Sequence, residues 1–198
     1  MVGQSVTGFQ TYNDELSDHG QSEIGYGEYL QSGHFGEAIF ENWESEFLQM
    51  AFFILLTVYF RQKGSAESKP VEGAEEVDKD PRDTRRQKDV PWPVRRGGIL
   101  LRIYEHSLSL AFITIFLTSL TLHAVEGVRV FNVERLQHGD NAVSVLDYSR
   151  SSQFWFESLQ NWQSEFLAVG LMVLLSVYLR ERGSPESKPV DMPHGEML

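Results

Sequence analysis

Three stretches of the chain contain no charged residue, and polar segments holding every charged side chain separate them. The stretches cover residues 47–60, 108–122 and 166–179. Each is 14 or 15 residues long, which is shorter than the roughly 20 residues that cross a hydrocarbon core. Trp43 and Trp162 precede two of the stretches, and Arg61 and Arg180 follow the same two, so interfacial side chains extend them. The pattern predicts three membrane helices, with buried core helices of a soluble protein as the alternative.

The first and third apolar stretches belong to a sequence that occurs twice. Residues 42–71 and 161–190 are identical at 18 of 30 aligned positions without a gap. The same offset continues upstream and pairs Val6 with Val125. A tandem duplication of this kind predicts two structural modules. The counterpart of the middle apolar stretch would lie upstream of Met1, so we expect that the chain begins inside a longer ancestral or real reading frame and lacks a first membrane helix.

Composition divides the chain into four segments. They are repeat module 1 at residues 1–71, a charged linker at 72–97, repeat module 2 at 98–190, and a tail at 191–198. The linker is rich in charge, Pro and Gly, which predicts disorder on the cytoplasmic side. The element GS-x-ESKPV occurs in both modules and predicts a helix stop, with Gly64 and Gly183 as left-handed caps. A docking motif is the alternative interpretation of this element.

Each module also carries the signals of two helices outside the membrane. Gly20 and Gly139 are suitable stops for a first helix. After a loop of about ten residues, Ser32 and Ser151 are suitable N-caps for a second helix that continues into the membrane. The predicted fold is therefore all-α, a multi-pass membrane helical protein with two tandem helical hairpins and extracytoplasmic helical caps.

The second helix of module 1 has an apolar stripe before it reaches the membrane. Its members recur every four residues, as on one face of an amphipathic helix: Phe35, Ile39, Trp43 and Phe47. Three acidic residues, Glu37, Glu41 and Glu44, lie off this stripe. Two such stripes facing each other would form a small cap over the hairpins.

Charge sets the expected orientation and excludes one class of partner. Fourteen of the seventeen Lys and Arg residues lie in residues 61–102 and in the C-terminal segment from Arg180. Short segments rich in Lys and Arg stay on the cytoplasmic side, so we expect a multi-pass protein of the bacterial cytoplasmic (inner) membrane with both segments cytoplasmic. The net charge of -11 argues against nucleic-acid binding. The chain has no Cys, which excludes disulfides and thiolate metal sites.

The repeated NW-x-SEF element, at the predicted point of entry into lipid, is the candidate interfacial motif. Its members are Asn42, Trp43, Ser45 and Glu46 in one copy, and Asn161, Trp162, Ser164 and Glu165 in the other. Carboxylates beside hydrocarbon are costly unless they are paired or hydrated. The two Glu could bind a cation, share a proton or line a polar entrance. Alternatively, Trp anchors the interface, Asn and Ser bridge helices, and Glu stays hydrated.

Histidine is the other candidate ligand in this sequence. Glu15 and His19 in the first copy, and Glu134 and His138 in the second, are spaced to lie on one helical face. A metal site would need both copies together, and a histidine at the negative end of a helix is the alternative. No nucleophile with a base, phosphate loop or HExxH motif is present. We therefore assign no catalytic, cofactor-binding or metal-binding residue. We expect that the protein has no cofactor and is not an enzyme.

Several of these segments resemble a known group of proteins. The FENWESEFLQM run, the RQKGSAESKPV element, the second copy NWQSEFLAVGLMVLLSVYLRERGSPESKPV and the SGHF and GEYL pieces are similar to bacterial integral membrane proteins of unknown function, domain-of-unknown-function family 6766. The resemblance covers nearly the entire chain. Members of this family begin with an apolar helix that this chain lacks. The resemblance implies a multi-pass bacterial membrane protein and supplies no site residues.

Three classes of function remain open from the sequence. The first is a structural or protein-interaction role in the cytoplasmic membrane. The second is a small transporter or channel that uses the paired interfacial carboxylates, as duplicated transporters do around a pseudo-twofold axis. The third is a membrane-bound enzyme, which lacks a recognisable catalytic set. The expected partners are membrane lipid and either another protein or a second copy of the chain.

Overall fold

The computed structural model describes residues 2–61, 69, 73, 75–184 and 186–193. The described residues form helices, turns and loops without any strand, so the predicted all-α class is confirmed. The helices are α1 (Val2–Asp18), α2 (Tyr26–Tyr29), α3 (Gly33–Tyr59), α4 (Trp92–Arg96), α5 (Gly98–Glu105), α6 (Ser107–Gln137), α7 (Val145–Tyr148) and α8 (Ser152–Tyr178), with a 3-10 turn at Glu76–Asp78.

The chain forms two compact units. Unit 1 contains Met1–Leu48 and Thr114–Gln163, and unit 2 contains Gln49–Ile113 and Ser164–Leu198. The three long helices α3, α6 and α8 each contribute one part to each unit. The N-terminal parts of α3 and α8 and the C-terminal part of α6 belong to unit 1.

The predicted helix stops and caps of unit 1 are confirmed. Gly20 and Gly139 have φ angles of 67° and 80°, a region that suits glycine, and each lies two residues after the end of α1 or α6. The hydroxyls of Ser32 and Ser151 accept hydrogen bonds of 3.2 Å from the backbone amides three residues later. These local signals end and start the helices where the sequence predicts.

Elements and contacts in unit 1 recur at the offset of the sequence repeat. The bounds of α2 and α7 differ by that offset at both ends, as do those of α3 and α8. The side-chain amide of Asn13 exchanges hydrogen bonds of 3.1 and 3.0 Å with the backbone of Ile24. Asn132 does the same with Val143 at 3.0 and 2.7 Å. Each pair fastens the loop after a helix back onto that helix.

A buried tyrosine lies over a glycine in each copy. Tyr29 and Tyr148 are both almost fully buried. A Cβ added at Gly8 would collide with the hydroxyl of Tyr29. A Cβ added at Gly127 would lie 2.6 Å from the hydroxyl of Tyr148. The absence of a side chain at these two positions therefore admits the tyrosine rings.

The core of unit 1 is apolar and aromatic. Its buried residues are Ala124, Val128, Tyr148 and Phe154. Three partly buried residues pack against them, namely Leu120, Phe131 and Val143. In the first copy, Tyr29 contacts the rings of Phe9, Tyr12, His34 and Phe35 instead.

Unit 2 includes the described part of the charged linker. The guanidinium of Arg85 donates to the carbonyls of Arg95 and Arg96 at 2.9 and 2.7 Å, at the end of α4. Leu101 of α5 is buried. Although the described part of residues 72–97 contains α4 and the 3-10 turn, the predicted disorder of this linker is not tested and stays a prediction.

The predicted helix stop of the second GS-x-ESKPV element is wrong in position. Gly183 has a φ of 87°, but α8 already ends at Tyr178. Gly183 therefore belongs to a separate turn and does not cap the helix. Gly64 lies outside the described residues.

One helix among the described residues is long and apolar enough to cross a membrane. It is α6, whose most apolar window has a mean hydropathy of 1.9 and is 22% buried. The other long helices carry acidic and polar residues directly before their apolar stretches. The multi-pass arrangement therefore remains a prediction from the sequence.

Candidate functional site

A cluster of acidic residues around one histidine lies in unit 1. Glu37, Glu41 and Glu44 are spaced four and three residues apart on α3, which brings them to one face of the helix. His123 lies on α6, directly after the apolar stretch, and Glu157 lies on α8. We call these five residues the acid–histidine cluster. Three helices therefore supply one polar centre.

The imidazole of His123 is fully buried between two carboxylates. Its Nδ1 lies 3.2 Å from Oε2 of Glu44, which is also fully buried. Its Nε2 lies 3.6 Å from Oε2 of Glu157 and has no hydrogen-bond partner among the described residues. The ring of Phe154 packs against the imidazole at a centroid distance of 4.8 Å. The histidine is thus held in place by one carboxylate and faces another.

Tyr148 contacts two members of the cluster through its hydroxyl. The oxygen lies 2.8 Å from Glu157 Oε2 and 3.4 Å from Glu37 Oε1, so the hydroxyl proton can be donated to either carboxylate. Burial, together with the hydrogen bond to Glu157, raises the pKa of this phenol far above its usual value. Tyr148 therefore stays protonated and donates its single proton to one of the two glutamates, of which Glu157 is the nearer.

Burial and mutual repulsion raise the pKa values of two glutamates of the cluster. Burial, with the nearby Glu157 carboxylate, raises the pKa of Glu37 to about 7. Burial also raises the pKa of Glu41, although the amide of Asn161 donates to it at 2.5 Å. For Glu157, burial is outweighed by contacts with His123, Tyr148 and Gln153, and its pKa is lowered.

A cavity of about 270 Å³ lies against the cluster. Its lining includes Glu37, Glu41, Tyr148 and Glu157 together with His34. The three glutamates are only half-buried. The cavity is large enough for several water molecules and gives a hydrated ion access to the carboxylates.

Three residues of the cluster have the composition of a metal site. One ligand atom from each of Glu37, His123 and Glu157 lies within 4.8 Å of the other two. Carboxylate oxygen and imidazole nitrogen are common ligands of divalent metal ions.

Those NW-x-SEF residues that lie in unit 1 have different contacts in the two copies. Asn42 donates to Glu46 at 2.9 Å on the exposed side of α3. Asn161 instead donates to Glu41, a member of the acid–histidine cluster. The tryptophans make aromatic contacts, Trp43 with Phe40 and Phe47, and Trp162 with Phe116 and Trp155.

The remaining members of the motif do not form a described site. Ser45 is buried and donates to the carbonyl of Asn42. Ser164 and Glu165 belong to unit 2, whereas Glu46 belongs to unit 1. The pairing of Glu46 with Glu165 therefore stays a prediction.

The repeated histidines are placed at helix ends. Nδ1 of His138 donates to the carbonyl of Glu134 at 2.8 Å, beyond the end of α6. Glu15, His19 and Glu134 line a separate cavity of about 520 Å³, whose lining does not include His138. The contact of His138 agrees with the helix-terminal alternative for this residue.

The cluster residues were missed as a site by sequence reasoning. Glu37, Glu41 and Glu44 were seen only as residues off the apolar stripe. Their spacing on one helical face, directly before an apolar stretch, was the available signal. The partners His123 and Glu157 are far away in sequence and carry no local motif.

A family model described as Domain of unknown function (DUF6766) matches residues 1–197. No curated protein matches the chain. No solved structure matches it either.

Proposed function

The chain belongs to the DUF6766 family of unknown function, and from its own residues we propose that it is a bacterial membrane protein that transports a cation. The acid–histidine cluster is the place where the cation binds. The protein works in the cytoplasmic membrane and carries out no catalysis. Its lipid-facing surface is formed by the three apolar stretches, arranged as two tandem hairpin repeats.

Exposed apolar side chains support the membrane part of the proposal. Phe52 on α3, Leu117 on α6 and Leu167 on α8 are 45%, 52% and 56% exposed. Each stands among other exposed apolar residues on the same helix. A core helix of a soluble protein buries such side chains, whereas a lipid-facing helix leaves them exposed within its own chain.

The position of the cluster is the observation that carries the transport proposal. Glu44 lies three residues before one apolar stretch, and His123 directly follows another. Ionisable residues at the edge of hydrocarbon are costly and mark ion pathways. With residues 61–102 and the C-terminus in the cytoplasm, the cluster takes up its cation from the extracytoplasmic side.

Flux into proteoliposomes tests this function. Purified protein is reconstituted into vesicles that contain a Zn²⁺-sensitive dye or a pH-sensitive dye. We expect cation entry above that of empty vesicles, and loss of most of it with Glu157→Gln. The double variant Glu46→Gln with Glu165→Gln is the matched control, because it removes two carboxylates outside the cluster.

Two results would contradict the proposal. Absence of Zn²⁺ and proton flux in the wild type would favour the structural or protein-interaction role. Flux that survives Glu157→Gln but fails in the Glu46 and Glu165 double variant would move the cation path to the interfacial carboxylates.

A further inference from the structure

The two ring nitrogens of His123 have different surroundings. Nδ1 lies at hydrogen-bond distance from Glu44, 3.2 Å, and can donate its proton to that carboxylate. Once Nε2 has lost its proton, it offers a lone pair to a metal ion while Glu44 orients the ring. Nε2 is buried and makes no hydrogen bond within the described chain. A histidine held through one nitrogen by a carboxylate, with the other nitrogen available, is the usual arrangement of a metal ligand.

Carboxylates surround the available nitrogen. Oε2 of Glu157 lies 3.6 Å from Nε2, and Glu37 completes a group of three ligand atoms. Metal bonds of about 2.0–2.2 Å would draw these atoms slightly closer together. The hydroxyl of Tyr148 contacts both carboxylates and orients them. The buried, unbonded nitrogen therefore points to a ligand shared with the two glutamates.

The donor set selects a class of ion. Two carboxylates balance the charge of a divalent cation, and the imidazole favours Zn²⁺, Fe²⁺ or Mn²⁺ over Ca²⁺ and Mg²⁺, which prefer oxygen ligands only. We propose that Glu37, His123 and Glu157 coordinate a divalent transition-metal ion, with Glu44 as the positioning residue for His123. The 270 Å³ cavity, which Glu37 and Glu157 line, would supply water for the remaining coordination positions. This assignment deepens the proposed function by naming its cation, and rests on it for the role of the ion.

Calorimetric titration tests the metal site directly. Full-length protein in detergent is stripped of metal with a chelator and titrated with ZnCl₂. We expect one Zn²⁺ ion per chain, with much weaker binding of MgCl₂. Absence of saturable Zn²⁺ binding would overturn the site.

Substitutions assign the ligands. Glu44→Gln keeps the shape of the side chain but weakens its hold on Nδ1, so Zn²⁺ affinity should fall by about 10–100-fold with unchanged stoichiometry. Glu37→Gln and Glu157→Gln remove ligands and should cost more than this. Glu46→Gln is the control on the same helix and should bind like the wild type. Equal affinity of all four variants and the wild type would overturn the assignment.

A spectrum of the wild type covers the case in which a variant fails to fold. Co²⁺ bound to one nitrogen and several oxygen ligands should give visible absorption that ZnCl₂ abolishes on addition. A spectrum like that of Co²⁺ in buffer would contradict the site. Binding and flux are separate results: Zn²⁺ binding without flux overturns transport alone, whereas proton flux without Zn²⁺ binding overturns the metal site alone.

Discussion

The two copies in unit 1 share their framework but differ in their chemistry. Both use an asparagine to fasten a loop, a serine to cap the following helix, and a buried tyrosine over a glycine. Tyr29 of the first copy is surrounded by aromatic rings. Tyr148 of the second copy reaches two glutamates. Residues that are the same in both copies therefore form the shared framework, and residues that differ between the copies form the acid–histidine cluster.

The two copies differ at every position of the acid–histidine cluster. Where the first copy has Glu37, Glu41 and Glu44, the second has Phe156, Gln160 and Gln163. Where the second copy has His123 and Glu157, the first has Gln4 and Ala38. Each copy contributes what the other lacks. The comparison predicts one asymmetric site per chain instead of two equivalent sites.

Making the copies alike at one position should abolish the site. Glu157→Ala gives the second copy the residue that the first copy has, and removes a carboxylate from both His123 and Tyr148. We expect a loss of Zn²⁺ affinity greater than about 100-fold, measured by calorimetry. Gln163→Glu, which gives the second copy the counterpart of Glu44, should leave one Zn²⁺ per chain. A second bound ion in that variant would contradict the asymmetry.

Substitution of the glycine next to each buried tyrosine should distinguish effects on stability from effects on Zn²⁺ binding. A Cβ at Gly127 would lie 2.6 Å from the Tyr148 hydroxyl and 2.7 Å from Glu37 Oε1. Gly127→Ala should therefore lower both thermal stability, by about 1–3 kcal/mol, and Zn²⁺ affinity. Gly8→Ala should lower stability and leave Zn²⁺ affinity unchanged, because only Tyr29 is displaced. Equal Zn²⁺ affinities in the two variants would break the distinction.

The asparagine contacts should have similar importance in both copies. Asn13→Ala and Asn132→Ala each remove two hydrogen bonds to one loop residue. Each should destabilise the protein by about 1–3 kcal/mol, seen as a lower melting temperature in detergent. Zn²⁺ stoichiometry should not change. A large effect in one copy only would show that the framework is not equivalent.

Zn²⁺ binding should depend on pH through Glu37, the ligand that the first copy contributes to the site. The groups that face Glu37 are Glu41 on α3, His123 on α6, Tyr148 on α7 and Glu157 on α8. The pKa of Glu37 is raised to about 7, so below that pH a proton competes with the metal. Calorimetry should show affinity rising about tenfold between pH 6 and pH 8. Glu46→Gln should follow the same curve, and a fall in affinity with pH would contradict the ligand role of Glu37.

The local parts of the fold could be predicted from the sequence. Glycine and serine signals located helix ends at Gly20, Gly139, Ser32 and Ser151, because these signals act within a few residues. The stop predicted at Gly183 was wrong because α8 ends earlier, at Tyr178.

The site could not be predicted because its contacts are long-range. Periodicity identified an apolar stripe on α3, but that helix also buries Glu44 and Ser45. Whether an acidic face meets water or another helix depends on a partner such as His123, which local sequence does not specify.

X-ray absorption spectroscopy of the Zn²⁺-loaded protein tests the central claim most directly. The asymmetric site provides one imidazole, with carboxylate and water oxygens at about 2.0–2.2 Å. We expect a spectrum with a single histidine contribution, and we expect the Glu37→Gln and Glu157→Gln variants to give a weaker spectrum. Two or more histidines around the ion would place it elsewhere among the six histidines of the chain and would contradict the account.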